Sequence, residues 1–454
     1  MIVRTTVSAA AALATALLLA SSAGAAISSP QRISSSDLRI QGLAVGAGGG
    51  RTAVVMDGYD PKPSPDRFEV LARLGTATSL GSAKRLAGGG TVTGVAVGAD
   101  GTAAAGWTQT IDGRPVWRVA IARPGKGFGS ARTLGDAGVR TGDLAVTTTG
   151  RIVAIWRTRS GDHVVRVAIA KPGGWFGPPA TIGVARQDLP VIAAGPGGAV
   201  VATWLDTPPA PQPPPAPAPT DRTAEVQAAT LPASASAFGA PMTLASSATW
   251  GDAPAISTGP GGVAISWPKP TAASVREVVR LLPNGTFDGP IDLTAGAPIP
   301  GIGLENKLPL GLPSDLSITA LWQDARTKNA ESGQLTSSVV RTSTRPAAGE
   351  HGLFSPAKTL SSSGWLAGGP EAAALTDRTV SAWGETAKGK PSRLRIATRS
   401  KGAWSVASAL KAPDLDTNSV SVAAGDRHVA VVWIQHPDAK RPGGQAYLAT
   451  YRSS

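Results

Sequence analysis

GFGSARTLG, residues 127–135, sets Phe128 six positions ahead of Leu134, and this outline returns along the whole chain. Eight copies align: ISSPQRI (27–33), LGSAKRL (80–86), FGSARTL (128–134), FGPPATI (176–182), FGAPMTL (238–244), FDGPIDL (287–293), FSPAKTL (354–360) and WSVASAL (404–410). An even spacing places both end residues on one face of a strand, so each copy is expected to be a short strand with two buried anchors.

A second series lies between these copies: TAAAGW, IVAIW, VVATW, VAISW, ITALW, TVSAW and VAVVW, ending at Trp107, Trp156, Trp204, Trp267, Trp322, Trp383 and Trp433. In the first repeat Met56 of TAVVM takes the place of Trp. Each run follows a Gly- or Pro-containing turn and another apolar segment, the signal of a hairpin. A third segment with period-two patterning comes next, as in VWRVAIA and VVRVAIA. The unit is therefore four antiparallel strands recurring about every 48 to 67 residues, which predicts an all-β chain folded as a β-propeller. The last repeat stops after three strands at AYLATYRSS, whereas ISSPQRI stands near the start as an unattached fourth strand. An eighth blade built from both ends removes the open edge; seven blades result if the Trp-less first copy is not a blade. A solenoid or a pair of β-sandwiches does not explain why the strand missing at one end is found at the other.

The chain opens MIVRTTVSAAAALATALLLASSAGAA, with a basic Arg4, a short apolar run and Ala23-Gly24-Ala25 as a small-residue cleavage signal. Residues 1–26 are thus expected to be a secretory signal peptide cleaved near Ala25, and residues 27–454 a single exported propeller domain. The apolar run is too short for a membrane span, and no later segment reaches the required length. There is no cysteine, so packing alone holds the fold. The formal charge is +13, scattered through the repeats without a basic run; this favours anionic polymers such as acidic polysaccharide over specific nucleic-acid binding. A Pro-rich insertion at 206–222, containing PPAPQPPPAPAP, is expected to be an exposed extended loop that a protein partner can read.

The blade strands, GAWSVASAL and its relatives, joined to Gly-rich hairpins, resemble the sialidase-like (Asp-box) secreted propellers, a superfamily of glycan hydrolases and non-catalytic binding proteins. The nearest approach to the family's Ser/Thr-x-Asp-x-Gly-x-x-Trp box is TIDGRPVW, where Thr110, Asp112 and Trp117 are in place and the glycine comes one position early. A sialidase also needs an arginine triad, a tyrosine nucleophile with a glutamate, and a separate acid. Tyr59, Tyr447 and Tyr451 are the only tyrosines, and Tyr59, in DGYDPKPSPDR, is the one expected in a loop. No motif anchors a triad, so no catalytic role is carried over.

In a four-stranded blade the loop after the second strand and the link between blades emerge on one face. The segments after the Trp positions differ most among the repeats, and function on a repeat scaffold gathers where copies diverge. Asp57, Tyr59, Arg157, Asp206, Gln323, Asp324, Glu385, Gln435 and His436 are accordingly the candidate ligand-binding residues, expected around the channel mouth. Asp143, Asp188 and Asp252 recur just before the first strand and read as backbone caps. The four histidines are dispersed and no metal-binding, phosphate-binding or nucleophile motif occurs, so neither metal nor cofactor is expected. The leading expectation is a monomeric secreted propeller that binds a glycan or other surface polymer without catalysis; the alternatives are a glycoside hydrolase or lyase of the sialidase-like kind and a protein-interaction scaffold.

Overall fold

The computed structural model describes residues 26–61, 67–135, 142–158, 163–186, 189–206, 223–249, 254–269, 275–282, 285–293, 308–327, 335–347, 353–405, 408–416, 419–436 and 443–452. The expected signal peptide, apart from Ala26, and residues 207–222 of the Pro-rich insertion lie outside the described residues, as do Asp188 and Asp252. All regular structure is strand, gathered into eight small antiparallel sheets. Blade 2 shows the order in full: Thr91–Val97 innermost, then Ala103–Ile111, Arg114–Ala122 and Arg132–Gly135 outermost. The innermost strands of blades 1 and 3 to 8 are Arg39–Gly48, Gly142–Val146, Val191–Ala194, Ala255–Gly259, Leu310–Gly311, Glu371–Leu375 and Ser421–Ala424. They surround a central cavity of about 800 Å³. The propeller therefore has eight blades, and the Trp-less first repeat is one of them, with Met56 fully buried.

Blade 8 joins the two ends of the chain. Its third strand, Gln445–Arg452, is bordered on one side by His428–Gln435 and on the other by Ala26–Ile27 and Gln31–Arg32. Ile27 pairs with Tyr451 and Gln31 with Leu448, a slip of one residue across the SSP segment. Ser28 Oγ accepts from the Thr450 N–H, and Ser34 Oγ from the Ala446 N–H.

The tryptophans of the second strands fill the seams between blades. Trp107, Trp156, Trp204, Trp267, Trp322, Trp383 and Trp433 are all at most 3% exposed, each in an apolar cluster shared with the preceding blade. The seam between blades 6 and 7 is rich in buried hydroxyls. On the strand faces that carry Leu321 and Trp383, the hydroxyls of Thr319, Thr379 and Ser381 are buried without a hydrogen-bond partner.

The six-residue outline corrects one expectation. Its two anchors do not share a face: Phe128 packs in the seam between blades 1 and 2, while Leu134 packs in the seam between blades 2 and 3. Pairing explains this, because Ala122 bridges Phe128 but Val119 pairs with Arg132, a one-residue slip between the anchors. Such a bulge moves every later side chain to the opposite face. The outer strand thus touches both neighbouring blades, and Ile27 and Ile33 of the first copy do the same for the seams on either side of blade 8.

Closure makes Ile33, 1% exposed, a sensitive position. Ile33→Ala is expected to lower stability by about 2–5 kcal/mol, the cost of truncating a buried aliphatic side chain. Chemical denaturation followed by tryptophan fluorescence measures it. An effect under about 0.5 kcal/mol, typical of surface positions, would mean that the first copy is not part of the ring.

Candidate functional site

The second strands run past the tryptophan position, held by Met56 in the first repeat, before the chain turns, as in Arg51–Asp60, Ile318–Thr327 and Arg378–Ala387. Most of the candidate residues consequently sit at strand ends, inside the seams. Tyr59, expected in a loop, is in the strand Arg51–Asp60, 8% exposed, with its ring 5.5 Å from that of Phe68. None of the nine candidates lines the central cavity.

The acids among them hold the frame. Asp57 Oδ2 accepts the Val92 N–H of the next blade's inner strand at 2.7 Å. A Cβ on Gly42 would lie 2.3 Å from that oxygen, so only glycine leaves room for the carboxylate. Burial raises the Asp57 pKa, with the bonds from Val92 and Gly42 opposing. Asp143 acts alike: it accepts the Leu144 N–H at 2.8 Å and the Ile192 N–H of blade 4 at 3.0 Å. Its reading as a backbone cap holds.

Two residues beyond Trp, the acids face the seam and meet arginines. Asp206 pairs with Arg186 at 2.7 Å, Asp324 with Arg341 at 2.7 Å and Glu385 with Arg393 at 2.7 Å. Asp206 stands opposite Glu225 across the sheet. Burial raises the Asp206 pKa; Arg186 counters this, while Glu225 adds to it. Gln323 and Glu385 are brought to one seam, where Gln323 donates to the carbonyl of Ala367 at 2.8 Å and Glu385 stands across from that same residue. Gln435 is 8% exposed; beside it the His436 imidazole lies 3.6 Å from Asp416. Arg157 donates to the carbonyl of Ala185 at 3.2 Å.

Two features were not foreseen. TIDGRPVW is a two-residue hairpin turn, with Asp112 and Gly113 at φ of 50° and 73°, between paired Ile111 and Arg114. Those angles are what a tight Asp-Gly hairpin requires, so this Asp is a turn residue. The second feature is a cationic aromatic cluster on blade 7: half-buried Trp365, with the Arg393 guanidinium 3.7 Å and the Lys390 ammonium 5.4 Å from its ring centre. One sequence signal pointed to it, since Trp365 belongs to neither repeating outline.

Among the described residues the central cavity is lined by small and apolar residues with Asp143, Glu371 and Asp426, and by no Lys, Arg or aromatic side chain. Among the described residues no group of three His, Asp or Glu is placed to hold a metal, and no helix is long and apolar enough to cross a membrane.

No family model matches the chain, and no curated protein does. Solved structures do, at the level of fold. They include the polysaccharide lyase Uly1 (10% identity, 91% of this chain and 90% of that one, TM-score 0.46). The β-propeller domain of the trilobed protease from Pyrococcus furiosus also matches (10% identity, 81% and 97%, TM-score 0.42). A third is a subtype N11 neuraminidase-like protein of a flat-faced bat isolate (8% identity, 83% and 95%, TM-score 0.39).

Asp57 offers a test by pH. A carboxyl whose folded pKa is raised above its ordinary value of 3.8 destabilises the fold as pH climbs from that value through the raised one. Asp57→Asn keeps an acceptor for the two amides without the charge, so its stability relative to the native chain should be higher at pH 7 than at about pH 3. Asp57→Ala leaves the Val92 amide unpartnered and should cost about 1–3 kcal/mol at either pH. Denaturation midpoints at the two pH values check both; a pH-independent difference for the Asn variant would refute the buried-charge account.

Proposed function

We propose that this is a secreted, non-enzymatic propeller that binds a glycan or other surface polymer through the face bearing the second hairpins and the blade-to-blade links. The observation that carries the reading is the division of labour on that face. Asp57, Asp206, Asp324 and Glu385 are engaged in seams by amides and arginines, while Lys390, Arg393, Trp365, Phe68 and His436 reach solvent on a face that also exposes Asp112 and Asp414. Basic groups at the rim attract an anionic polymer, and no Lys or Arg among the described residues lines the cavity, which supports a rim site over a channel site. Some of the basic side chains are already engaged elsewhere, since Arg51 donates to the carbonyls of Gly101, Arg123 and Lys126, and Arg151 to those of Gly198, Pro232 and Ala235. Export follows from the signal-peptide reading of residues 1–26, and a monomer is expected because the ring closes on itself.

The enzyme reading keeps one supporting observation, the Asp206–Glu225 pair. Two neighbouring carboxylates, one with a raised pKa, are the chemistry of acid–base work on a glycosidic bond. The ion pair to Arg186 and the cross-strand position account for the same residues as a brace of blade 4.

Affinity electrophoresis of the purified protein through neutral and acidic polysaccharides, at low and high salt, tests the function. Retention by a particular acidic polysaccharide that persists at high salt is the expected result, because shaped contacts survive where exposed charge is screened. Retention by every polyanion, abolished by salt, would reduce the reading to net charge. Chain cleavage of a retained polysaccharide, lost in Asp206→Asn, would establish the enzyme instead.

A further inference from the structure

We propose that blade 7 carries a subsite for a carboxylated sugar residue, a hexuronate, built from Trp365, Arg393 and Lys390; this rests on the glycan-binding reading and names the chemistry of one ligand. Trp365 precedes the short strand Leu366–Ala367, whose pairing with Thr386 and Glu385 fixes the indole beside the hairpin that joins Ala387 to Lys390. The guanidinium of Arg393 stacks 3.7 Å from the ring centre while its Nε and Nη2 both donate to Glu385 Oε2, at 2.9 and 2.7 Å. Glu385 Oε1 is itself occupied by the Trp383 indole N–H at 3.1 Å and the Ser362 amide at 2.9 Å.

Glu385 is fully buried beneath this arrangement, so it orients the arginine without competing for a ligand above it. The Nη1 edge of Arg393 has no hydrogen-bond partner among the described residues, and Lys390, exposed and 5.4 Å from the same ring, has no ion pair there. Arg395 adds a third cation 3.9 Å from the same carboxylate, which leaves two positive charges in excess. Burial lowers the Arg395 pKa; the Glu385 carboxylate opposes this and the charge of Arg393 adds to it.

A locked guanidinium edge matches the planar geometry of a carboxylate, and a lysine nearby adds an unoriented charge. An indole with one side stacked on that guanidinium offers its remaining surface to the C–H groups of a pyranose ring. A neutral sugar uses only the indole and inorganic sulfate only the cations. A hexuronate uses both.

The test is titration calorimetry of the full protein with a galacturonate oligomer, its carboxyl-reduced neutral counterpart and inorganic sulfate. Tighter binding of the oligomer than of either control is expected, by about tenfold or more, the effect of one charge-assisted contact. Trp365→Ala and Arg393→Lys should each weaken it about tenfold, the second while keeping the charge. Lys390→Met, at an exposed position that no fold contact needs, should weaken it a few-fold and flatten its salt dependence. Equal binding of oligomer and reduced oligomer, or unchanged affinity in both Trp365→Ala and Lys390→Met, would overturn the subsite and leave the glycan-binding reading standing. Binding of no saccharide would overturn both.

Discussion

Everything in this molecule depends on pairing the two ends of the chain. Seven blades are made of consecutive strands, but blade 8 needs Ala26–Ile27 and Gln31–Arg32 beside Gln445–Arg452. Without that contact an edge strand stays open and the seams beside it lose Ile27 and Ile33. Contacts such as Ser28 with Thr450 span 422 residues. Loop-closure entropy grows only with the logarithm of length, so closing this ring costs about 2 kcal/mol more than closing one blade-sized loop. Burial in two seams readily offsets that amount, which is why a cysteine-free chain can close a ring this large.

The fold was legible because its seams are uniform. A tryptophan at the same place in seven second strands reports one recurring environment, and Met56 fills that environment in the eighth. The six-residue outline was read correctly as an outer strand and wrongly as one-faced. Its anchors are correlated because they hold two different seams, and a one-residue slip between them inverts the face without changing the spacing. Spacing alone carries no record of a bulge, since the extra residue looks like any other small or polar residue in GSAR or GPPA.

The site was less legible, for a related reason. Polar residues after an apolar strand read as loop residues, yet Asp57, Asp324 and Glu385 lie on strands that continue past Met56 or the tryptophan and are covered by the links between blades. Burial of those acids depends on amides and arginines distant in sequence, such as Val92 for Asp57 and Ser362 for Glu385. Asp143 could be read as a cap because its first partner, the Leu144 amide, is adjacent. Trp365 carried the opposite signal, a large aromatic residue outside every repeat, and repeats draw attention to what they explain.

The seam between blades 6 and 7 shows what a closed ring tolerates. Each unpartnered buried hydroxyl of Thr319, Thr379 and Ser381 costs about 1–3 kcal/mol relative to a bonded one. In an open stack of sheets such a joint would be the place to part. In a ring it cannot widen unless another seam also moves, and the other seams are packed with buried apolar residues on both sides. The constraint that closes the molecule therefore shelters one polar joint. Above that joint lie Gln323, Glu385, Arg393 and Trp365. The apolar seams elsewhere in the ring hold this one in register.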